Sequence, residues 1–167
     1  MNDFAKEMNV KPSLTILIQK GTEIDADTLE EHVRNKFSDK ESGKFSLVYV
    51  YYYADKEYQY PEGKSNVLYI GKTIGQKKDK KISAAYRFKH LKGGSDYKQN
   101  ITLSSIYNQK DVIGLDIFEV EDCGEVEKKW RYSFLNKFKA LPIADGAAYS
   151  KEKCFSESDD EKIEDCE

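Results

Sequence analysis

The sequence predicts a small α/β fold in which a central antiparallel β-sheet with three core strands is flanked by helices. Two segments rich in β-branched and aromatic residues, 46–53 and 67–73, are separated by a turn-forming stretch, which is typical of neighbouring antiparallel strands. A later segment, 112–120, alternates apolar and polar residues as a third strand does. Apolar residues at four-residue spacing over 125–139 predict a helix that packs on this sheet.

The connections between these elements follow from turn and helix signals. Residues 54–66 carry proline, glycine and asparagine and are expected to form a long turn. Residues 75–81 are expected to form a basic loop. A helix is expected near 82–92, where two consecutive glycines end it, and a second short helix is expected over 102–109.

The predicted core comes from the inward faces of these elements. Alternate positions of the third strand lie on one face of a sheet, and positions four apart lie on one face of a helix. We therefore expect Ile113, Leu115 and Ile117 to share one face of the sheet. We expect Trp130, Phe134 and Phe138 to be largely buried.

The chain divides into three parts by pattern. Residues 1–44 form an N-terminal extension with a strand signal over 14–18 and a helix running to about Phe37, either added to the main fold or set apart as an arm. Residues 45–150 form the main domain. Residues 151–167 are an acidic tail with too little apolar surface to offset the entropy of ordering, so we expect this tail to be disordered.

The formal net charge of −3 hides two segments of opposite sign. The tail 151–167 contains three lysines and eight acidic residues, a net charge of −5. Residues 72–98 contain nine basic and two acidic residues, a net charge of +7. A basic segment of this kind suits a polyanionic partner, which the whole-chain charge alone would argue against.

The cysteines and the chain ends point to a reducing compartment. Cys123, Cys154 and Cys166 are odd in number and widely spaced, which is neither a disulfide framework nor a metal-ligand pattern. The first residues lack an apolar signal-peptide core, and the longest apolar run is too short to cross a membrane. We therefore expect a cytoplasmic protein without a membrane partner.

Five residues have the chemistry of a one-metal phosphodiesterase site. Tyr49 and Tyr69 lie in the two predicted strands, Arg87 and His90 in the next helix, and Glu127 near the start of the last one. Two phenols offer proton acceptors, an arginine offers a planar fork for a phosphate, and one carboxylate can hold a divalent cation. Each also has a plain structural explanation, as strand aromatics, a solvated basic helix and a helix-start carboxylate.

The order of these residues resembles the GIY-YIG nuclease superfamily over roughly residues 46–146. Tyr69-Ile70-Gly71 is similar to the second half of the family signature, and Val48-Tyr49-Val50 lies where the first half belongs. An arginine on a helix and a glutamate on a later helix follow in the family order. The first triplet lacks its glycine, and Asp145 stands where the family has asparagine.

The resemblance implies a role for each matching residue. Tyr49 takes the place of the base or proton relay, with Tyr51 as a same-face substitute. Tyr69 would hydrogen-bond the phosphate or the attacking water, and Gly71 would allow close approach to the backbone. Arg87 would bind a phosphate, and His90, three residues on, would act as an acid or bind phosphate as well.

A metal ligand and a cationic surface complete the implied site. Glu127 is the expected metal ligand, with Glu125 as the alternative. The expected ion is Mg²⁺ or Mn²⁺, because a single carboxylate oxygen with several waters suits magnesium. The cations expected to contact the phosphates are the lysine after the second triplet and those of the basic segment: Lys72, Lys80, Lys81, Lys89 and Lys92.

Two functions are compatible with this set of residues. The first is a metal-dependent endonuclease that hydrolyses phosphodiester bonds in nucleic acid, with DNA as the expected substrate. The second is a non-catalytic protein that keeps the GIY-YIG-like fold and uses its basic face only to bind nucleic acid. The tyrosines, the arginine and a glutamate favour the first, whereas the missing glycine of the first triplet favours the second.

Overall fold

The computed structural model describes residues 4–5, 8–37, 43–78, 81–82, 88–94 and 97–145, with the side chains of 43–45, 75–78 and 81–82 left out. The strands are β1 (Leu14–Ile18), β2 (Gly43–Tyr53), β3 (Tyr58–Tyr60), β4 (Gly63–Ser65), β5 (Val67–Lys78), β6 (Lys81–Ile82) and β7 (Ile113–Val120). The α-helices are α1 (Leu29–Lys36), α2 (Lys98–Asn108) and α3 (Cys123–Phe138), and His90–Lys92 form one turn of 3-10 helix.

The main sheet of the described chain has the order β1-β7-β2-β5-β6, and every neighbouring pair is antiparallel. The three predicted strands are its centre, β7-β2-β5, so the predicted antiparallel α/β architecture is confirmed. The N-terminal strand signal is also confirmed, because β1 pairs with β7 from Leu14 to Ile18. The first residues thus add a strand to this sheet.

The central strand β2 is buried on both faces, which explains its nearly continuous apolar and aromatic sequence. Its odd-numbered residues, Leu47 to Tyr53, pack in a core cluster with side chains of α1 and α2. Its even-numbered residues Val48 and Val50 pack in a second cluster with α3. The period of two along the strand therefore sorts its side chains between two helical layers.

The predicted core residues are buried. Ile113, Leu115 and Ile117 belong to the cluster on the α1 and α2 side, and the aromatic residues of α3 belong to the other cluster. Helix α3 begins two residues before its predicted start, because the Asp122 carboxylate accepts hydrogen bonds from the Gly124 and Glu125 amides at 2.7 and 3.1 Å. The left-handed conformation of Lys139 ends it.

Three local predictions are wrong. The segment 54–66 is not one long turn, because β3 and β4 pair within it. The basic loop 75–81 is largely strand, because β5 continues to Lys78 against the long β2 and then pairs with β6. Only one 3-10 turn stands in the described part of the predicted helix 82–92, since Ile82 lies in β6 and positive φ angles at Gly93 and Gly94 end the turn.

Two predictions concern residues outside the described ranges. The first is the remainder of the 82–92 helix, 83–87. The second is the disordered tail 151–167. Helix α2 does lie in the described chain, and it begins at Lys98, four residues before its predicted start. Among the described helices, none is long and apolar enough to cross a membrane.

Candidate functional site

The sheet register brings Tyr49, Tyr69 and Gly71 together. Tyr49 pairs directly with Gly71 across β2 and β5, and Tyr69 lies two residues before Gly71 on the same face. A Cβ atom at Gly71 would lie 2.6 Å from both Tyr49 Cζ and Tyr69 Cε1. Both phenol rings therefore cross above the glycine, and a larger residue would displace them. The glycine of the second triplet is needed by the tyrosines themselves.

The hydroxyl of Tyr49 is hydrogen-bonded to an imidazole. Its oxygen lies 3.2 Å from His90 Nε2, although 41 residues separate the two in the chain. The His90 ring lies among three tyrosine rings, with centroid distances of 6.1 Å to Tyr49, 5.9 Å to Tyr51 and 5.5 Å to Tyr69. The 3-10 turn that carries His90 thus places an imidazole against the tyrosines of β2 and β5.

The other nitrogen of His90 contacts a residue that sequence reasoning missed. His90 Nδ1 lies 2.5 Å from Asn100 Oδ1, in the first turn of α2. A neutral amide on a helix belongs to no motif, and no sequence signal singled it out. The packing of α2 on the 3-10 turn decides this contact.

The glutamate predicted as a metal ligand points inward. Glu127 is buried, whereas the alternative, Glu125, is exposed. Lys72 Nζ lies 3.3 Å from Glu127 Oε2, and Arg131 Nη1 lies 3.4 Å from Oε1. Lys72 therefore lies at the site, paired with a carboxylate of α3.

Arg131 connects Glu127 to a second buried carboxylate. Its Nη2 atom lies 2.9 Å from Asp145 Oδ1, and both residues are buried. The other Asp145 oxygen, Oδ2, is buried without a hydrogen-bond partner among the described residues. Sequence reasoning missed Arg131, although its position four residues after Glu127 on one helix was an available signal.

The pKa of Tyr69 depends on the charges of Asp145 and Glu127. Burial first, and then the charges of Asp145 and Glu127, raise the pKa of Tyr69 to about 12, although Arg131 and a hydrogen bond with Tyr49 act in the opposite direction. Burial also raises the pKa of Asp145 to about 7, against the attraction of Arg131 and Lys98. The charges of Glu127 and Asp145 therefore act on the Tyr69 hydroxyl.

Tyr51 is a poor substitute for Tyr49. Its hydroxyl is fully buried and has no hydrogen-bond partner among the described residues. Burial raises the pKa of Tyr51 far above its usual value of 10, and the nearby Tyr69 adds to the effect. Within the part of the chain that the structure describes, a base lies at the hydroxyl of Tyr49 and none lies at that of Tyr51.

Only some of the cations predicted to bind phosphate lie within the described residues. Lys89 pairs with Glu30 at 3.4 Å, and Lys92 pairs with Asp27 at 3.1 Å, so each already has a carboxylate partner near α1. Exposed ion pairs of this kind are weak and exchange readily. Arg87, Lys80 and the side chain of Lys81 lie outside the described residues.

The carboxylate oxygens of Glu127 are of the type that a hard cation such as Mg²⁺ prefers. Within the described chain no group of three or more His, Cys, Asp or Glu side chains is arranged to hold a metal ion. Both Glu127 ion pairs exceed the roughly 2.7–2.9 Å typical of a charge-assisted hydrogen bond. The Lys72 side chain is about half exposed, so its ion pair with Oε2 lies at the protein surface. A single carboxylate oxygen completed by waters is a common arrangement for Mg²⁺.

Comparisons of the chain with protein-family models, with curated proteins and with solved structures gave no match.

Proposed function

We propose that this protein is a metal-dependent endonuclease of the GIY-YIG type that hydrolyses phosphodiester bonds in DNA. One observation carries the proposal: the Tyr49 hydroxyl is hydrogen-bonded to His90 at 3.2 Å on the face that also carries Tyr69 and Gly71. A phenol with an unperturbed pKa of about 10 is a weak base at neutral pH, so it needs a partner that takes its proton. His90 supplies that partner.

The proposed reaction begins with two proton transfers. The Tyr49 proton passes to His90 Nε2, and the resulting phenolate takes a proton from the attacking water. The water oxygen bonds to phosphorus, the bond to the leaving oxygen breaks, and solvent protonates that oxygen. Tyr69, with a pKa raised to about 12 by burial, keeps its proton and donates a hydrogen bond to the phosphate or the water.

The cation is assigned to Glu127. This residue would hold Mg²⁺ through the oxygen that Lys72 now contacts. When bound, the ion supplies charge stabilisation for the phosphate oxygens. Lys72, released from Glu127, is then available to a phosphate together with the rest of the basic segment 72–98.

The test is cleavage of supercoiled plasmid and of linear duplex with Mg²⁺, with Mn²⁺ and with EDTA. We expect nicking or linearisation with either metal and none with EDTA. The variant Y49F should abolish cleavage, and Y52F, which changes a tyrosine on the opposite face of the same strand, should keep it. Equal cleavage by wild type and Y49F would contradict the assignment of Tyr49.

One observation favours a second function, nucleic-acid binding without catalysis. Both oxygens of Glu127 already have cationic partners, Lys72 and Arg131. If Lys72 does not leave, the protein would bind DNA without cleaving it. Retained, salt-sensitive binding in a gel-shift assay without cleavage under any metal condition would select this alternative.

A further inference from the structure

The side chain of Asn100 contacts His90 at the ring nitrogen opposite Tyr49. His90 Nδ1 to Asn100 Oδ1 is 2.5 Å, and His90 Nε2 to the Tyr49 hydroxyl is 3.2 Å. The imidazole therefore bridges an amide on α2 and a phenol on β2. Both contacts are partly buried, which shields them from competing water.

The chemistry of the amide oxygen decides where the imidazole carries its proton. A carboxamide oxygen only accepts hydrogen bonds, so Nδ1 of His90 must be the protonated nitrogen. A neutral imidazole has a single N–H, which leaves a lone pair on Nε2 to accept a hydrogen bond. That lone pair faces the Tyr49 hydroxyl and accepts its hydrogen bond. With the opposite tautomer, Nε2 would donate to Tyr49 and could not take its proton.

The surroundings of His90 hold the ring in this orientation. The rings of Tyr49, Tyr51 and Tyr69 face it from β2 and β5. The charged groups nearest in its own turn are Lys89 and Lys92, and their ion pairs with Glu30 and Asp27 attach the turn to the α1 region on both sides of His90.

We propose that Asn100 is a positioning residue that fixes His90 in the tautomer able to accept the proton of Tyr49. The transfer leaves a phenolate on Tyr49 and an imidazolium whose Nδ1–H stays bonded to Asn100 Oδ1. No electron changes hands and no further reactant is needed. This role of Asn100 rests on the proposed nuclease function for its purpose, but the tautomer itself does not depend on substrate.

Nitrogen NMR of the histidine rings measures the tautomer directly. The chain has two histidines, His32 and His90, so an H32Q background leaves one imidazole to observe. In this background we expect neutral His90 to carry its proton on Nδ1. The variant N100L, of similar shape but without an acceptor, should shift the population toward the Nε2–H form. The variant N100D keeps an acceptor and should keep Nδ1–H, and its carboxylate should raise the pKa of His90 by about one unit or more.

Cleavage by the same variants supplies the second readout. N100L should lower activity about 10- to 100-fold, the scale on which loss of an orienting partner acts at metal-bound histidines. N100D should restore activity, with its pH profile displaced to higher pH because His90 must be neutral to accept a proton. A merely structural Asn100 would move neither the tautomer nor the pH profile.

The outcomes separate the two proposals. A wild-type His90 protonated on Nε2 would overturn the role of Asn100, and this measurement needs no variant that might fail to fold. An unchanged tautomer in folded N100L would overturn it as well. Expected tautomers in all variants together with no cleavage by any of them would refute the nuclease proposal and leave the tautomer control by Asn100 standing.

Discussion

Two tyrosines of β2 each pack over a glycine of a neighbouring strand, one on each face of the sheet. The hydroxyl of one contacts an imidazole, and the hydroxyl of the other contacts a carboxylate. Tyr49 covers Gly71 of β5 on the α1 and α2 side. Tyr52 covers Gly114 of β7, and a Cβ atom there would lie 2.1 Å from its Cζ. Both pairs use the same device, in which a glycine leaves room for the ring of the residue directly opposite.

The hydroxyl partner separates the two pairs. Tyr49 reaches His90, a base, at 3.2 Å. Tyr52 donates to the buried Asp116 carboxylate at 3.4 Å, which Thr15 also contacts at 2.6 Å. Burial and then the charge of Asp116 raise the pKa of Tyr52 far above 10. Similar packing therefore yields one phenol bonded to an imidazole and one phenol that donates to a buried carboxylate.

The largest expected effect is on catalysis. Y49F removes the hydroxyl that His90 contacts, and we expect it to lower the cleavage rate by about 100- to 10,000-fold, the usual contribution of a positioned acid or base. Its thermal stability should stay close to that of the wild type. Y52F should cleave at the wild-type rate. A Y52F variant as inactive as Y49F would remove the functional distinction between the two faces.

The next largest effect is on stability and comes from Asp145, a buried carboxyl whose charge acts on Tyr69. Its pKa is raised from 3.8 to about 7 by burial, so the folded state holds a proton that the unfolded state has lost between these values. Stability from this group is complete below about pH 4 and is lost as the pH rises to about 7. D145N should therefore be more stable than the wild type at pH 8, on the order of 4 kcal/mol, and equal to it near pH 4.

Urea denaturation of D145N and wild type at several pH values measures this difference. E125Q, at an exposed position of α3, is the matched control and should follow the wild-type curve. A D145N variant less stable than wild type at pH 8 would mean that the ion pair with Arg131 outweighs the burial of the charge.

A smaller loss of stability is expected from filling the second glycine. G114A would place a methyl group within 2.5 Å of the Tyr52 ring, and we expect it to destabilise the fold by about 1–3 kcal/mol. A double-mutant cycle isolates the clash, because G114A in a Y52A background meets no ring and should be neutral or slightly stabilising. Equal losses in both backgrounds would show that the ring is not the obstacle.

The smallest effect is the loss of one hydroxyl on the structural side. Y52F removes one of the donors to Asp116, and we expect a loss of about 1–2 kcal/mol, since the acceptor is a buried carboxyl. Thermal denaturation against wild type measures it. A stabilised Y52F would indicate that the 3.4 Å contact contributes nothing to the fold.

The central strands and α3 were predictable because their signals are local. Alternation over 112–120 and the four-residue spacing of Trp130, Phe134 and Phe138 follow from the geometry of a strand and a helix. The pairing of β5 beyond Thr73 was not predictable, because it depends on the length of the partner β2. The 3-10 turn at His90 was missed for a similar reason. Gly93 and Gly94 predicted where the segment ends, but the contacts of His90 with Tyr49 and Asn100 depend on distant parts of the chain.

The sequence by itself determined the antiparallel α/β architecture and singled out one candidate set of residues: Tyr49, Tyr69, Arg87, His90 and Glu127. It did so because the spacing of apolar side chains in strands and helices, and the chemistry of each residue, can be read from local sequence. Only the tertiary structure decided that Glu127 rather than Glu125 is buried, that Arg131 joins it to Asp145, and that Asn100 meets His90. Such contacts form between distant segments, and the packing of helices on a sheet sets them, which no local pattern records.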